Sequence, residues 1–493
     1  MNQESLEQIL QPNAKIYFIG IGGIAMSAAA CLAKLGGFVV EGSDNKEVYS
    51  PSKDVLEENE IEYFIGYKRE QIEMARADLV IVSAGEDSGN EELKYVIEKN
   101  INRVGLAEFL YFLSREDLRV VVTGTHGKTT TAGLLGHIFK GLDDSSFMAG
   151  GVLQNYHSNF HLGNGHYFVF EGDEYKEQFD DPTPKFHYYK PDVLVLTNLE
   201  YDHPDVFENL ESYMQEFRQL IANMPEDGLI VYNADDENLV KLVHESNVSS
   251  VSFAIENEAD YKIENIQFAE YTSFEVVNKF SHNLSAQVLG LTEDYKIQLP
   301  GKLNVYNALA CIATLRALGF KPEQIALEML SYAGIKRRFE VLGSKNGVTV
   351  VDDYAHHPTA VRETLEAARL KYFGQGLQSE ALGPAKLWAV FEPHTFSRTK
   401  ATLAELAKAF DAADEVLISE IYPAREKASD STISSAQVIE AVKSHSQRTQ
   451  GNIRLVKSKD EALGIIKKEA KEGDVVLVMA VGSFNTLAYD LLK

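Results

Sequence analysis

Short apolar runs separated by helical patterns recur from residue 15 to the end of the chain, and this alternation constrains the fold more than any other feature. A strand buried on both faces reads as a continuous apolar run, and a helix between two such strands brings the chain back to start the next one in parallel. The first series is KIYFIGIGG from residue 15, the helical IAMSAAACLAKLG, FVVEGSD, a helix over 52–60 and ADLVIVSAG at 77–85. A second begins with LRVVVTGTHGKTT and continues through YFVFEGD at 167–173, DVLVLTNLE at 192–200 and DGLIVYNADDENL at 227–239. SVSFAIENEADYKIENIQF then alternates in a way that predicts antiparallel hairpins, followed by a helix over 303–318. The third series is GVTVVDDYA at 347–355, AKLWAVFEP at 385–393, ADEVLISEI at 413–421 and GDVVLVMAVGS at 473–483. The pattern predicts an α/β protein of three domains over residues 1–117, 118–340 and 341–493, with GIKRRFEVLGSKNG at 334–347 as a hinge.

The length agrees, since 493 residues at about 150 per domain give about three. A formal charge of −26, from 73 acidic against 47 basic residues, repels nucleic acid and anionic membranes, so neither is an expected partner. An anionic ligand would then need local help from helix N-termini, Lys, Arg or a metal. The two cysteines, Cys31 and Cys311, lie in apolar helical contexts and support no disulfide framework, and no run of about 18 apolar residues occurs. The expected location is the cytoplasm.

Two glycine-rich turns follow strands. Gly20, Gly22, Gly23 and Ala25 fit G-x-G-x-x-A, where the backbone approaches a diphosphate at a helix N-terminus, and Asp44 ends the next strand where an acid takes a ribose hydroxyl. In the second turn Lys128 follows Gly127 and precedes Thr129, the order a phosphate loop needs: Lys128 for the outer phosphates, Thr129 for magnesium. The common longer loop would put glycine at Val122, whereas here Gly124 opens the shorter GTHGKT. Glu171 and His203 follow strands that end in the same crevice, and with Thr129 they make a candidate magnesium site.

GTHGKTT, EGDEY, TNLEYDH, NADDEN, LNVYNALA, GIKRRFE, VDDYAHHPTA and FEPHTFSRTK, in this order and spacing, resemble the Mur ligases. These are cytosolic ATP-dependent enzymes that add amino acids or peptides to the UDP-MurNAc precursor of peptidoglycan. The resemblance covers essentially the whole chain. It implies Rossmann-like first and third domains and a central domain of the P-loop ATPase type with added antiparallel strands. IGIGGIAMS resembles the members that accept UDP-N-acetylmuramate itself, so Gly20, Gly22, Gly23, Ala25, Asp44 and Ser83 would hold UDP. One such member adds L-alanine, as FEPHTFSRTK suggests; another adds L-Ala-γ-D-Glu-meso-diaminopimelate, to which KFHYYKP and NLEYDHPDVF are closer. L-alanine is the expected amine, and the tripeptide is the alternative.

The resemblance further implies ATP contacts from Gly124, Thr125, His126, Gly127, Lys128, Thr129, Thr130, Asn304, Asn307, Arg338 and Asp353. Lys128, Glu171, His203 and Arg338 would serve phosphoryl transfer with Mg2+, and Tyr354, His394 and Arg398 would bind the amino acid. The base that takes the ammonium proton stays open among His356, His357 and His394. Leu303 stands where the family has histidine, and AVG at 480–482 replaces GAG.

Overall fold

The structure, a computed structural model, describes residues 3–202, 206–279, 291–374, 385–424, 426, 432–445 and 452–493. Among these residues the strands form three sheets and a small hairpin. The first sheet comprises β1 (Lys15–Ile19), β2 (Val39–Asp44), β3 (Glu62–Ile65), β4 (Leu79–Val82) and β5 (Arg103–Gly105), all parallel, in the order β3-β2-β1-β4-β5. The second holds β6 (Leu118–Thr123), β7 (Ser146–Leu153), β8 (Ser158–His161) and β9 (Tyr167–Glu171). The chain then forms the separate hairpin β10 (Lys176–Gln178) and β11 (Asp181–Pro184) before returning. Its remaining strands are β12 (Val193–Leu196), β13 (Leu229–Asn233), β14 (Ser249–Ala254), β15 (Tyr261–Phe268), β16 (Thr272–Asn278) and β17 (Thr292–Ile297). The order is β17-β16-β15-β14-β13-β12-β6-β9-β7-β8. The third has β18 (Glu340–Lys345), β19 (Val348–Asp353), β20 (Leu387–Phe391), β21 (Glu415–Ile418), β22 (Ile453–Leu455) and β23 (Val475–Met479), in the order β18-β19-β23-β20-β21-β22.

Alternate residues of one strand feed two cores, as parallel sheets covered on both faces require. Ile16 and Phe18 enter one cluster while Tyr17 and Ile19 enter another. In β23, Val475, Leu477 and Met479 face one side, Val476 and Val478 the other. Among the described residues no helix is long and apolar enough to cross a membrane.

Two sequence readings need correction. SVSFA does not begin the antiparallel part: the helix Glu237–His244 brings the chain back, so β14 pairs parallel with β13, and the antiparallel order starts between β15 and β16. The hinge segment is also shorter than 334–347, because Glu340–Lys345 is β18, paired antiparallel with β19. Asn346 and Gly347 close that hairpin with φ of 52° and 76°, the positive pair that an Asn-Gly turn favours. Only 334–339 remains as a connection between the second and third sheets.

The separate hairpin is docked to the first sheet's helices through Glu177 of β10. Its Oε1 accepts from the amides of Ala107 (2.6 Å) and Glu108 (3.3 Å), capping the helix Leu106–Leu113. Arg103 Nη2 reaches Asp180 at 2.6 Å alongside. Burial lifts the Glu177 carboxyl from 4.5 to about 7 against the pull of Lys185 and the two amides. Folding therefore takes up a proton here, and this contribution, full below pH 4.5, is lost as pH rises through 7. Asp352, raised by burial to about 7, adds the same slope. Glu177→Gln keeps an acceptor but removes one proton uptake. Between about pH 5 and about pH 8 its stability should fall less than that of the wild type, by up to about 3 kcal/mol. Urea midpoints at the two pH values measure this, and equal losses would contradict it.

Candidate functional site

The phosphate loop joins β6 to the helix Lys128–Asp143. Gly124 and Gly127 have φ of 132° and 83°, where an L side chain is strained. A Cβ would also collide with Thr197 Oγ1 and Asn198 at the first position, and with Asn307 Oδ1 at the second. The shortened spacing fits a loop fastened to the end of β12. Thr125 N donates to Asn198 O (3.0 Å) and His126 N to Asn198 Oδ1 (2.7 Å), while Thr197 Oγ1 donates to His126 O (2.7 Å).

Lys128 folds back on this loop, with Nζ donating to Gly124 O at 2.6 Å and to Glu174 Oε1 at 3.1 Å. Burial disfavours its ammonium, but Glu174, Glu171 and Asp173 outweigh that and raise its pKa, so it is a fixed cation. Thr129 Oγ1 donates to Glu171 Oε1 (2.9 Å), and Gly150 N to Glu171 Oε2 (2.8 Å). Burial raises the Glu171 carboxyl, opposed by Lys128, Thr129 and Arg338. Arg338 Nη2 stands 3.5 Å from Thr129 Oγ1, with its guanidinium 5.0 Å from the centre of the Tyr354 ring. His203, the other expected metal ligand, lies outside the described residues.

Asn304 and Asn307 project from the helix Lys302–Ala317, with Asn307 Nδ2 donating to Asn304 Oδ1 (3.2 Å) and Thr131 Oγ1 to Asn307 Oδ1 (3.2 Å). Asp353, at the end of β19, accepts from Phe339 N (2.7 Å) and Ala355 N (2.6 Å). In this structure its carboxylate thus holds the connection after Arg338. Arg398 is likewise engaged: Nε and Nη2 reach Asp202 Oδ1 at 3.1 and 2.9 Å, and Nη1 lies 3.0 Å from His394 Nδ1. This ion pair is 7% and 8% exposed and joins the second sheet's loops to the third's. The rings of His394 and His356 are 5.2 Å apart. Burial, with Arg398 and His394 nearby, holds His356 neutral, well below the usual imidazole range.

One cavity of about 310 Å³ gathers these groups. It is lined by every expected ATP contact except Gly124, and by Glu171, Tyr354, His356, His357, His394 and Arg398. Its walls therefore come from the phosphate loop, the helix Lys302–Ala317 and the loops after β19 and β20. Gly482 of AVG stays essential, since a Cβ there would stand 2.7 Å from the Tyr422 ring, and its amide donates to Glu392 Oε2 at 2.6 Å.

The other glycine turn lies where strand order reverses between β1 and β4, the position at which open α/β sheets bind ligands. Gly20 has φ 82°, and its Cβ would meet Ser83 Cβ at 2.7 Å, so turn and Ser83 are in close contact. Asp44 Oδ2 accepts from Gly22 N (2.9 Å) and braces the turn. Gly23 is the N-cap of the helix Ile24–Leu35, and a Cβ there would have room, at 3.7 Å from its nearest neighbour. Ala25 sits in the first turn of that helix. Sequence reading missed Thr197, Asn198, Glu174, Asp202, Glu392 and Tyr422. The signal for the first four was polar residues just after apolar strands, inside motifs already singled out for other members.

Residues 15–117 match the Mur ligase family catalytic domain, 122–315 the Mur ligase middle domain, and 337–482 the Mur ligase glutamate ligase domain. The chain is 34% identical over 472 residues to a UDP-N-acetylmuramate–L-alanine ligase of Clostridium acetobutylicum, covering 95% of each chain. To the enzyme of that name from Clostridium beijerinckii it is 34% identical over 493 residues, 99% of this chain and 100% of the relative. Among solved structures it resembles the UDP-N-acetylmuramate-alanine ligase of Thermotoga maritima, with TM-score 0.74 and 27% identity over 97% and 98% of the two chains. The murein peptide ligase of Psychrobacter arcticus gives TM-score 0.69 at the same identity and coverage. With such similarity along the whole chain, and a phosphate loop facing the third sheet's histidine and arginine loops across one cavity, the protein belongs to the Mur ligase family.

Proposed function

We propose that the chain is an ATP-dependent ligase that joins L-alanine to UDP-N-acetylmuramate through an acyl phosphate, acting in the cytoplasm. Residues 1–117 would hold the UDP-sugar, 118–340 the ATP and 341–493 the amino acid. The observation that carries this reading is the shared cavity, in which a phosphate loop meets Tyr354, His394 and Arg398 of another domain. The full-length similarity to enzymes named L-alanine ligases favours that amine.

A carboxylate resists attack by an amine because its carbon is electron-rich and oxide is a poor leaving group. The sugar's lactyl carboxylate would attack the γ-phosphorus of ATP, releasing ADP and leaving an acyl phosphate. The amine then adds to that carbonyl, loses a proton, and expels phosphate as the amide forms. Phosphoryl transfer asks mainly for alignment and neutralised charge, which Lys128, Arg338 and the amides of the loop can supply. The side-chain oxygens of Thr129 and Glu171, 2.9 Å apart beside Lys128, are hard donors of the kind magnesium takes. Mg2+ bound there would neutralise phosphate charge. Closure of the third domain over the loop would exclude water from the acyl phosphate. His356, held neutral, has the protonation state a base for the ammonium needs.

The test is a product mass measurement with purified protein, ATP, Mg2+ and UDP-N-acetylmuramate, offering L-alanine and the tripeptide L-Ala-γ-D-Glu-meso-diaminopimelate in separate reactions. The L-alanyl product is expected. Exclusive formation of the tripeptide product would replace this reading with that of a murein peptide ligase.

A further inference from the structure

We propose that His126, Glu200 and His357 form a transition-metal site of the zinc type that staples the phosphate loop to the third domain. One ligand atom from each lies within 4.8 Å of the other two. His126 Nε2 is 3.2 Å from Glu200 Oε2, and the imidazole rings of His126 and His357 are 4.6 Å apart, tilted by 43°. Three separate segments supply them: the phosphate loop, the stretch after β12, and the N-cap of the helix Pro358–Phe373.

Two of the ligands are held in place by neighbours. The backbone of His126 is held on both sides by Thr197 and Asn198. Thr359 Oγ1 donates to Glu200 Oε2 at 3.0 Å. His357 Nδ1 accepts from Thr359 N at 3.4 Å as the cap of its helix, and the ring must give up this bond to ligate, because an imidazole accepting at Nδ1 carries its proton on Nε2. A tetrahedral ion with bonds of about 2.0–2.1 Å needs ligand atoms about 3.3 Å apart. The His126–Glu200 pair already meets that spacing, and side-chain rotation can bring His357 in.

Two imidazoles and one carboxylate suit Zn2+ or Co2+, whereas Mg2+ takes oxygen ligands, so this set is chemically distinct from the Thr129–Glu171 pair. Its His126 and His357 line the nucleotide cavity, whereas Glu200 does not, and the Glu200 side chain, 45% exposed, opens an entry path from outside. His126 and Glu200 belong to the second sheet's loops and His357 to the third's. Binding therefore requires the two to be apposed, and by linkage an occupied site holds them so.

The probes are Zn2+ and Co2+ added to chelator-treated full-length protein with excess Mg2+ present, without nucleotide. One equivalent of Co2+ should bind per chain with a visible absorption band of low-symmetry coordination, displaced by Zn2+, and Zn2+ should raise the melting temperature. Glu200→Gln, at a half-exposed position, and His357→Asn, which keeps a capping side chain, should each weaken binding by at least about tenfold. Glu171→Gln should leave it intact. Equal affinity in the wild type and both site variants would overturn the proposal, as would absence of stoichiometric binding or its loss in Glu171→Gln. The readout is metal occupancy, so it stands or falls independently of the ligase reading.

Discussion

Lys128→Ala is expected to lower ATP turnover by about 10²–10³-fold or more, the scale found when one preorganised group facing developing charge is removed. The ammonium is poised for this role: it is largely buried, held by Gly124 O and Glu174, and kept charged by three nearby carboxylates. Without it the phosphates would meet Glu171, Asp173 and Glu174 with less positive charge between them. Removing one partner of a buried ion pair also costs about 3–5 kcal/mol of stability, so turnover must be compared at a temperature where both proteins are folded. Phosphate release and a thermal melt measure the two effects separately. Binding of UDP-N-acetylmuramate should persist, since its expected site lies on the first sheet. Near-normal turnover in the variant would mean that the loop does not hold the reacting phosphates.

Arg398→Ala should be nearly as damaging, and for a reason the amino-acid sequence alone does not suggest. A guanidinium that only bound the amino acid's carboxylate would, when lost, raise KM for L-alanine and spare acyl phosphate formation. In this structure the same guanidinium is clamped to Asp202 across the domain junction and to His394 within its own domain. Its loss should therefore impair both half-reactions, with kcat/KM for L-alanine down by about 10²-fold or more. Asp202→Asn should move both in the same direction by less, because an amide still accepts a hydrogen bond. Isotope exchange between ATP and ADP, dependent on UDP-N-acetylmuramate and run without alanine, isolates the first half-reaction. Full exchange in Arg398→Ala would reduce this residue to a substrate contact.

Much of the fold was legible because each signal was local. An apolar strand followed by Gly124 and Gly127 demands glycine torsions, and the alternation of strands and helices gave the parallel sheets. The hairpin at 346–347 was equally local, an Asn-Gly pair between two strands, but the charged run before it has the composition of a connection as well. Pairings at long range were not legible. Lys128 meets Glu174 46 positions away, and Arg398 meets Asp202 196 positions away. Nothing in composition or periodicity marks such partners, since each is one acid among 73 until the sheets bring it to a particular crevice. The same holds for Asp353, which the family resemblance marks as an ATP contact while its carboxylate, at the end of β19, holds two backbone amides.

The peptide from Glu171 to Glu177 ties together parts that belong to different tasks. Glu171 meets Thr129, Asp173 pairs with Lys185, Glu174 meets Lys128, and Glu177 caps a helix packed on the first sheet. Seven consecutive residues thus run from the phosphate pocket to the platform expected to grip the UDP-sugar. Excising the first 117 residues would strip Glu177 of its helix and loosen the same short peptide that steadies the lysine. The three modules are therefore poor candidates for shuffling as independent parts: a transplanted nucleotide engine would carry a frayed strand at its heart.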